Sequence, residues 1–146
     1  MRRLVVLFLT LVLALTLGAC GDTRENYCKA VKGDQVKLSA MINSSSLDAL
    51  LTGLPLLKSL AGKAPDDLTD EWQTFINAIE GLRDALTKAG VKPSDFKGGS
   101  IPASVQGQER RNVIAAANTL SSDEVVSAAN GIETQARDVC KVNLGL

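Results

Sequence analysis

The feature that most constrains this chain is a seam of six large apolar residues, Leu68, Trp72, Phe75, Ile79, Leu82 and Leu86, at alternating four- and three-residue spacing. At 3.6 residues per turn this spacing puts all six on one stripe of an α-helix, and it fits no strand period. A helix with such a stripe must bury it against other elements, so the rest of the chain has to supply partners. Pro65 suits the first turn, and Asp66, Asp67, Asp70 and Glu71 lie where the positive end of the helix dipole favours acids. Lys88, Gly90, Val91 and Pro93 spell the stop: a basic last turn, glycine at C′, an apolar residue after it and a proline beyond.

The partners read as further helices. Glu25 to about Asn43 carries Cys28, Val31, Leu38, Met41 and Ile42 at helical spacing, with Gly33 weakening but not ending it. Asn43-Ser44-Ser45-Ser46 supplies a turn and an N-cap. Leu47, Leu50, Leu51, Leu54, Leu57 and Leu60 form a leucine stripe, in which Gly53 and Pro55 predict a kink or two short helices. Residues 91–106, with Gly98-Gly99 and two prolines, are the longest break. Val113, Ile114, Ala117 and Leu120 mark a fourth helix, and Ser121 with Glu124 has capping-box spacing for a fifth. In that fifth helix Val125, Ala129, Ile132, Ala136 and Val139 or Cys140 face inward. No strand alternation of useful length and no internal repeat occurs, so the expected fold is all-α, a single bundle of four to five helices.

The start of the chain is of another kind. Met1-Arg2-Arg3 precedes an uncharged run from Leu4 to Leu17, 14 residues long. A membrane-spanning helix needs about 20 apolar residues, whereas 14 suits the h-region of a signal peptide. Leu17-Gly18-Ala19-Cys20 resembles the bacterial lipobox, an aliphatic residue and two small ones before a cysteine. The resemblance implies removal of residues 1–19 and lipidation of Cys20 as the new first residue. Two acyl chains would anchor stably where one holds only marginally. The expected organisation is therefore a signal peptide at 1–19, a short lipidated tether at 20–25, the bundle at 26–141 and a C-terminal tail at 142–146. Eight extended steps from Cys20 to Cys28 reach under about 30 Å, which keeps the domain close to the bilayer.

Cys28 and Cys140 then remain, one near each end of the mature chain. In an extracytoplasmic compartment they are expected to pair, with two free buried thiols as the competing reading. A pair would tie the first helix to the end of the last. It would also place the turn at 43–46 and the loop at 91–106 together at the membrane-distal end.

Composition enters through what it excludes. The leader holds two arginines and no acid, which leaves 14 basic and 16 acidic residues in the mature chain. That balance gives no electrostatic footprint for nucleic acid or anionic lipid. Mature aromatics are only Tyr27, Trp72, Phe75 and Phe96, too few for a stacking platform. Histidine is absent, which removes Ser-His-Asp and Cys-His catalysis and the commonest zinc ligand. No enzyme, cofactor or metal is expected.

The remaining candidates are weak. Asp66-Asp67-Leu68-Thr69-Asp70-Glu71 lacks the glycine and the closing glutamate of a calcium loop and reads as acids on a solvated helix start. Gly98-Gly99 lacks the lysine pattern of a phosphate loop. Asn43-Ser44-Ser45 matches a glycosylation sequon that carries little weight in a bacterial lipoprotein. Phe96 and Ile101 read first as caps on the helical core. Their second reading is as anchors of a distal binding surface, with Asp95 and Lys97 as its polar contacts.

Several further stretches resemble a group of small secreted lipoproteins of actinobacteria. They are Asn26-Tyr27-Cys28, the leucine-rich second helix, Lys63-Ala64-Pro65-Asp66-Asp67-Leu68 running to Trp72, and Asp138-Val139-Cys140. The resemblance implies compartment and helical fold and brings no activity with it. The expected function is a non-enzymatic binding or interaction module of the cell envelope, anchored through Cys20 on the extracytoplasmic face of the membrane. Its partner would be an envelope protein and not nucleic acid, and no oligomeric state is specified. The alternative is a carrier of a small apolar ligand or lipid in an inter-helix cavity.

Overall fold

The computed structural model describes residues 19–44, 47–95 and 100–146. Among the described residues the chain is all-helical, with no strand. The helices are α1 (Ala19–Asn43), α2 (Leu47–Ala61), α3 (Thr69–Lys88), α4 (Gly107–Leu120) and α5 (Asp123–Asp138), with 3₁₀ turns at Asp66–Leu68 and Pro93–Asp95. The seam helix α3 is the hub, packing against α2, α4 and α5. All six seam residues are buried, joined by Ile76, Ala78 and Ala85. Each fully buried Leu or Ile contributes roughly 1.5–3 kcal/mol over its exposed state, so this helix organises the core.

Both ends of α3 follow from its flanking residues. Pro65 is extended one residue before the 3₁₀ turn Asp66–Leu68 and four before α3, and that turn leaves Leu68 buried before α3 begins. At the other end Gly90 takes φ 68°, Val91 donates to Leu86 O at 2.9 Å and Gly90 to Thr87 O at 3.0 Å. This is the Schellman arrangement, in which the left-handed residue costs least as glycine and two orphaned carbonyls find partners. Val91 and Leu86 are both buried beside it.

Helix α1 begins earlier than the sequence suggests. The stretch 20–25, expected to be a tether, is helical, and Arg24 Nη2 meets Asp67 Oδ2 at 3.0 Å across the bundle. Its core stripe is Tyr27, Val31 and Leu38, with Cys28, Met41 and Ile42 only half-buried. Cys28 and Cys140 form a disulfide across 112 residues, with Cα atoms 4.9 Å apart. From Cys28, α1 carries the chain about 22 Å to Asn43, and α3 runs about 24 Å from Trp72 to Lys88. The Pro93–Asp95 turn packs against α2.

Four local readings are decided or corrected. Helix α2 is one continuous helix with Pro55 inside it. Burial of Leu51, Leu54, Leu57 and Leu60 on both sides of the proline outweighs the one backbone bond Pro55 cannot donate. In α4 only Val113 is buried, and Ile114 is 43% exposed. Ala117 and Leu120 pack against the core as expected, with Ala116 in place of Ile114. Ser121 closes α4, and the N-cap of α5 is Ser122, whose Oγ accepts from Val125 N at 3.4 Å. At the end of α5 Cys140 is buried while Val139 is 42% exposed.

The stretch 142–146, expected to be a tail, packs onto the bundle. Lys141 at φ 60° turns the chain, and Val142 and Leu144 are buried. Val142 N reaches Ala136 O at 3.0 Å. The half-buried carboxylate of Glu133 then accepts from Leu144 N (3.1 Å), Gly145 N (2.9 Å) and Leu146 N (3.3 Å). A carboxylate meeting three backbone donors satisfies groups that would otherwise be orphaned, which is why this short piece holds to the surface.

Candidate functional site

Among the described residues one side-chain pair is hydrogen-bonded within the buried interior. Tyr27 and Trp72 meet edge to face, with ring centroids 6.5 Å apart and planes at 79°. Trp72 Nε1 donates to Tyr27 Oη at 3.2 Å, 45 residues away in sequence. Burial pushes the Tyr27 phenol up to about 12, and the hydrogen bond from Trp72 only partly opposes this. The phenol therefore stays neutral across the physiological range. It is a structural lock between α1 and α3.

Two of the surface concavities formed by the described residues contrast in character. The first is a groove of about 360 Å³ whose walls come from five separate places in the chain. Met41 and Ile42 at the end of α1 face Leu47 and Leu50 at the start of α2. Phe75 of α3 forms the floor, and Ala129 of α5 and Leu146 complete the wall. Every described residue that lines it is apolar. Such a site excludes any group that needs a hydrogen bond, since an unpartnered polar group buried there costs on the order of 2 kcal/mol or more.

The second is a shallow polar cleft of about 560 Å³ between the start of α3 and α5. Asp67, Glu71 and Asp138 bring carboxylates to it, and Asn130 and Gln135 bring amides. Gly131 keeps it open, because a Cβ there would lie 3.0 Å from Glu71 Cγ. No lysine or arginine lines it. Among the described residues no group of three or more His, Cys, Asp or Glu side chains is placed to hold a metal ion. The acids at the start of α3 lie on a solvated face, and Asp67 pairs with Arg24.

The residues singled out from the sequence fall apart spatially. Cys20 lies in the first turn of α1, and Cys28 and Cys140 are joined eight residues later along that helix. Phe96 and Lys97 lie outside the described residues. Ile101 is half-buried and packs against the core, as its first reading had it, and it contributes no wall to the groove. The groove residues Met41, Ile42, Leu47, Leu50, Phe75 and Ala129 read in the sequence as ordinary core, and Leu146 as tail. Helical spacing announces that such residues are apolar and inward, but not that they leave a space between them. Among the described residues no helix is long and apolar enough to cross a membrane. Comparison with known protein families, with curated proteins and with solved structures finds no match.

Proposed function

We propose that the protein is a lipid-anchored, extracytoplasmic lipoprotein that acts as a non-enzymatic binding module of the bacterial cell envelope, and that it binds through the apolar groove. The groove carries this reading: a concavity of about 360 Å³ lined only by apolar residues is suited to holding a ligand or partner and offers no group for chemistry. The absence of histidine and the closure of Cys28 and Cys140 into a disulfide point the same way. The anchor rests on Met1-Arg2-Arg3, the 14-residue apolar run and Leu17-Gly18-Ala19-Cys20. With 20–25 helical, the domain would stand about 10 Å from its lipid to Tyr27 on a stiff stem.

A carrier of a small apolar ligand is the second reading, favoured by the complete lack of polar lining. Both are tested on full-length protein recovered from membranes by native mass spectrometry. The expected result is a mature chain beginning at a lipid-modified Cys20 with a retained ligand or partner, lost in Leu50→Asp. Cys20→Ser is expected to move the protein to the soluble fraction. A chain that retains nothing, together with a demonstrated turnover activity, would count decisively against the module.

A further inference from the structure

We propose that the groove takes a single alkyl chain, and that the segment 142–146 is its gate, latched by Glu133. This rests on reading the protein as a binding module, and it names the ligand class and the regulation of that same site. The lining supplies the first step. With no polar side chain among the described residues of its walls, the groove favours hydrocarbon for the buried part of the occupant and leaves any polar head outside. Size supplies the second. About 360 Å³ lies near the small end of ligand pockets, room enough for one flexible chain.

The third step is that the groove already holds hydrocarbon of its own. Leu146 is half-buried on its wall. The piece that carries Leu146 is held by little. Cys140 is fixed by the disulfide, Val142 N bonds Ala136 O, and Leu144 is buried. Beyond Val142, every hydrogen bond among the described residues goes to the one carboxylate of Glu133. Gly145, at φ 78°, provides the pivot next to Ile42. Leu146 and an incoming chain thus compete for the same wall, and Glu133 sets how firmly Leu146 holds it. On the opposite side Met41 can adjust the width. Its thioether lies against Gly53 where any Cβ would collide with it, and methionine repacks at low cost.

The test uses the full chain in phosphatidylcholine vesicles, a diazirine-bearing dodecanoate as probe, and mapping of the photocrosslinks by mass spectrometry. Crosslinks are expected on peptides containing Leu47, Leu50 and Phe75. Leu50→Trp should cut them at least tenfold, and Ala129→Phe, which fills the groove from the facing wall, serves if Leu50→Trp fails to fold by circular dichroism. Glu133→Gln exchanges charge-assisted bonds for weaker ones and should raise crosslinking about tenfold, equivalent to about 1.4 kcal/mol. Crosslinks spread evenly over the chain, or unchanged when the groove is filled, overturn the alkyl site. Unchanged labelling in Glu133→Gln overturns the gate. If dodecanoate labels nothing while a retained partner is still lost in Leu50→Asp, the alkyl assignment falls and the binding-module reading stands.

Discussion

Tyr27 gives the sharpest handle on how the bundle is held, because it is the only tyrosine in the chain and its ionisation can be read directly. Its phenol is raised from an ordinary value of 10.0 to about 12 by burial. The folded state therefore resists the phenolate more than the unfolded chain does. The neutral form's stability is fully present below pH 10 and is lost as the pH rises through 12. Each unit is worth about 1.36 kcal/mol, so about 1.4 kcal/mol is lost by pH 11 and nearly 3 kcal/mol above pH 12. Tyr27→Phe abolishes this loss. It also strands Trp72 Nε1 in the core without its acceptor, which costs about 1–3 kcal/mol at neutral pH. Denaturant melts of the two proteins at pH 7 and pH 11, with phenolate absorbance followed in parallel, should show the gap between them narrowing at alkaline pH. A wild-type phenol that titrates near 10 with the bundle still folded would refute the burial assignment. A Tyr27→Phe protein as stable as wild type at pH 7 would refute the lock.

Three further outcomes follow from the fold. Reducing Cys28–Cys140 frees a loop of 112 residues, which on the chain-entropy model costs about 4–5 kcal/mol and lowers Tm on the order of 15 °C, as calorimetry with and without reductant would show. Gly90→Ala meets no atom within 4 Å but must hold φ 68°, so it should cost about 1 kcal/mol in chemical denaturation, with Gly90→Asn costing less. Ser122→Ala should cost about 0.5–1 kcal/mol, the low end because its capping bond is 3.4 Å long, whereas Ser121→Ala should leave the melting curve unmoved.

The seam from Leu68 to Leu86 was legible because burial along α3 repeats with the helix itself, and the stop at Gly90-Val91 because only one backbone conformation suits it. The disulfide between Cys28 and Cys140 matches the pairing expected of the two cysteines that stand one near each end of the chain after Cys20. What escaped shares a physical cause: spacing that two registers satisfy equally. Tyr27 and Cys28 both stand at helical distance from Val31, yet the core chose Tyr27 and left Cys28 half-buried. Ser121 and Ser122 both fit a cap, and the extended φ and ψ of Ser122 decide it. In α4 the run Ala115-Ala116-Ala117 offers so little apolar contrast that the face could slip past Ile114. Val142, Leu144 and Leu146 are too short an alternation to read, and their clamp, Glu133, lies 9 to 13 residues back on another element.

The groove follows from how unevenly α1 is attached. Its first half is fixed three times over, by the disulfide at Cys28, by the Tyr27–Trp72 hydrogen bond and by buried Val31. Beyond Leu38 the hold is weaker: Met41 and Ile42 are half-buried, packing against the edge of the core where they also line the groove. A helix pinned at one end and only leaning at the other cannot be packed tightly along its length against α2 and α3 together, because helix surfaces interlock only at particular crossings. The gap is left where the pinning ends. The segment 142–146 leans into it because that segment leaves the same disulfide and reaches the same distance. Filling the groove therefore stabilises the weak half of α1 and leaves the strong half unchanged. The covalent tie at Cys28 and the groove at Met41 and Ile42 thus lie toward opposite ends of the same helix.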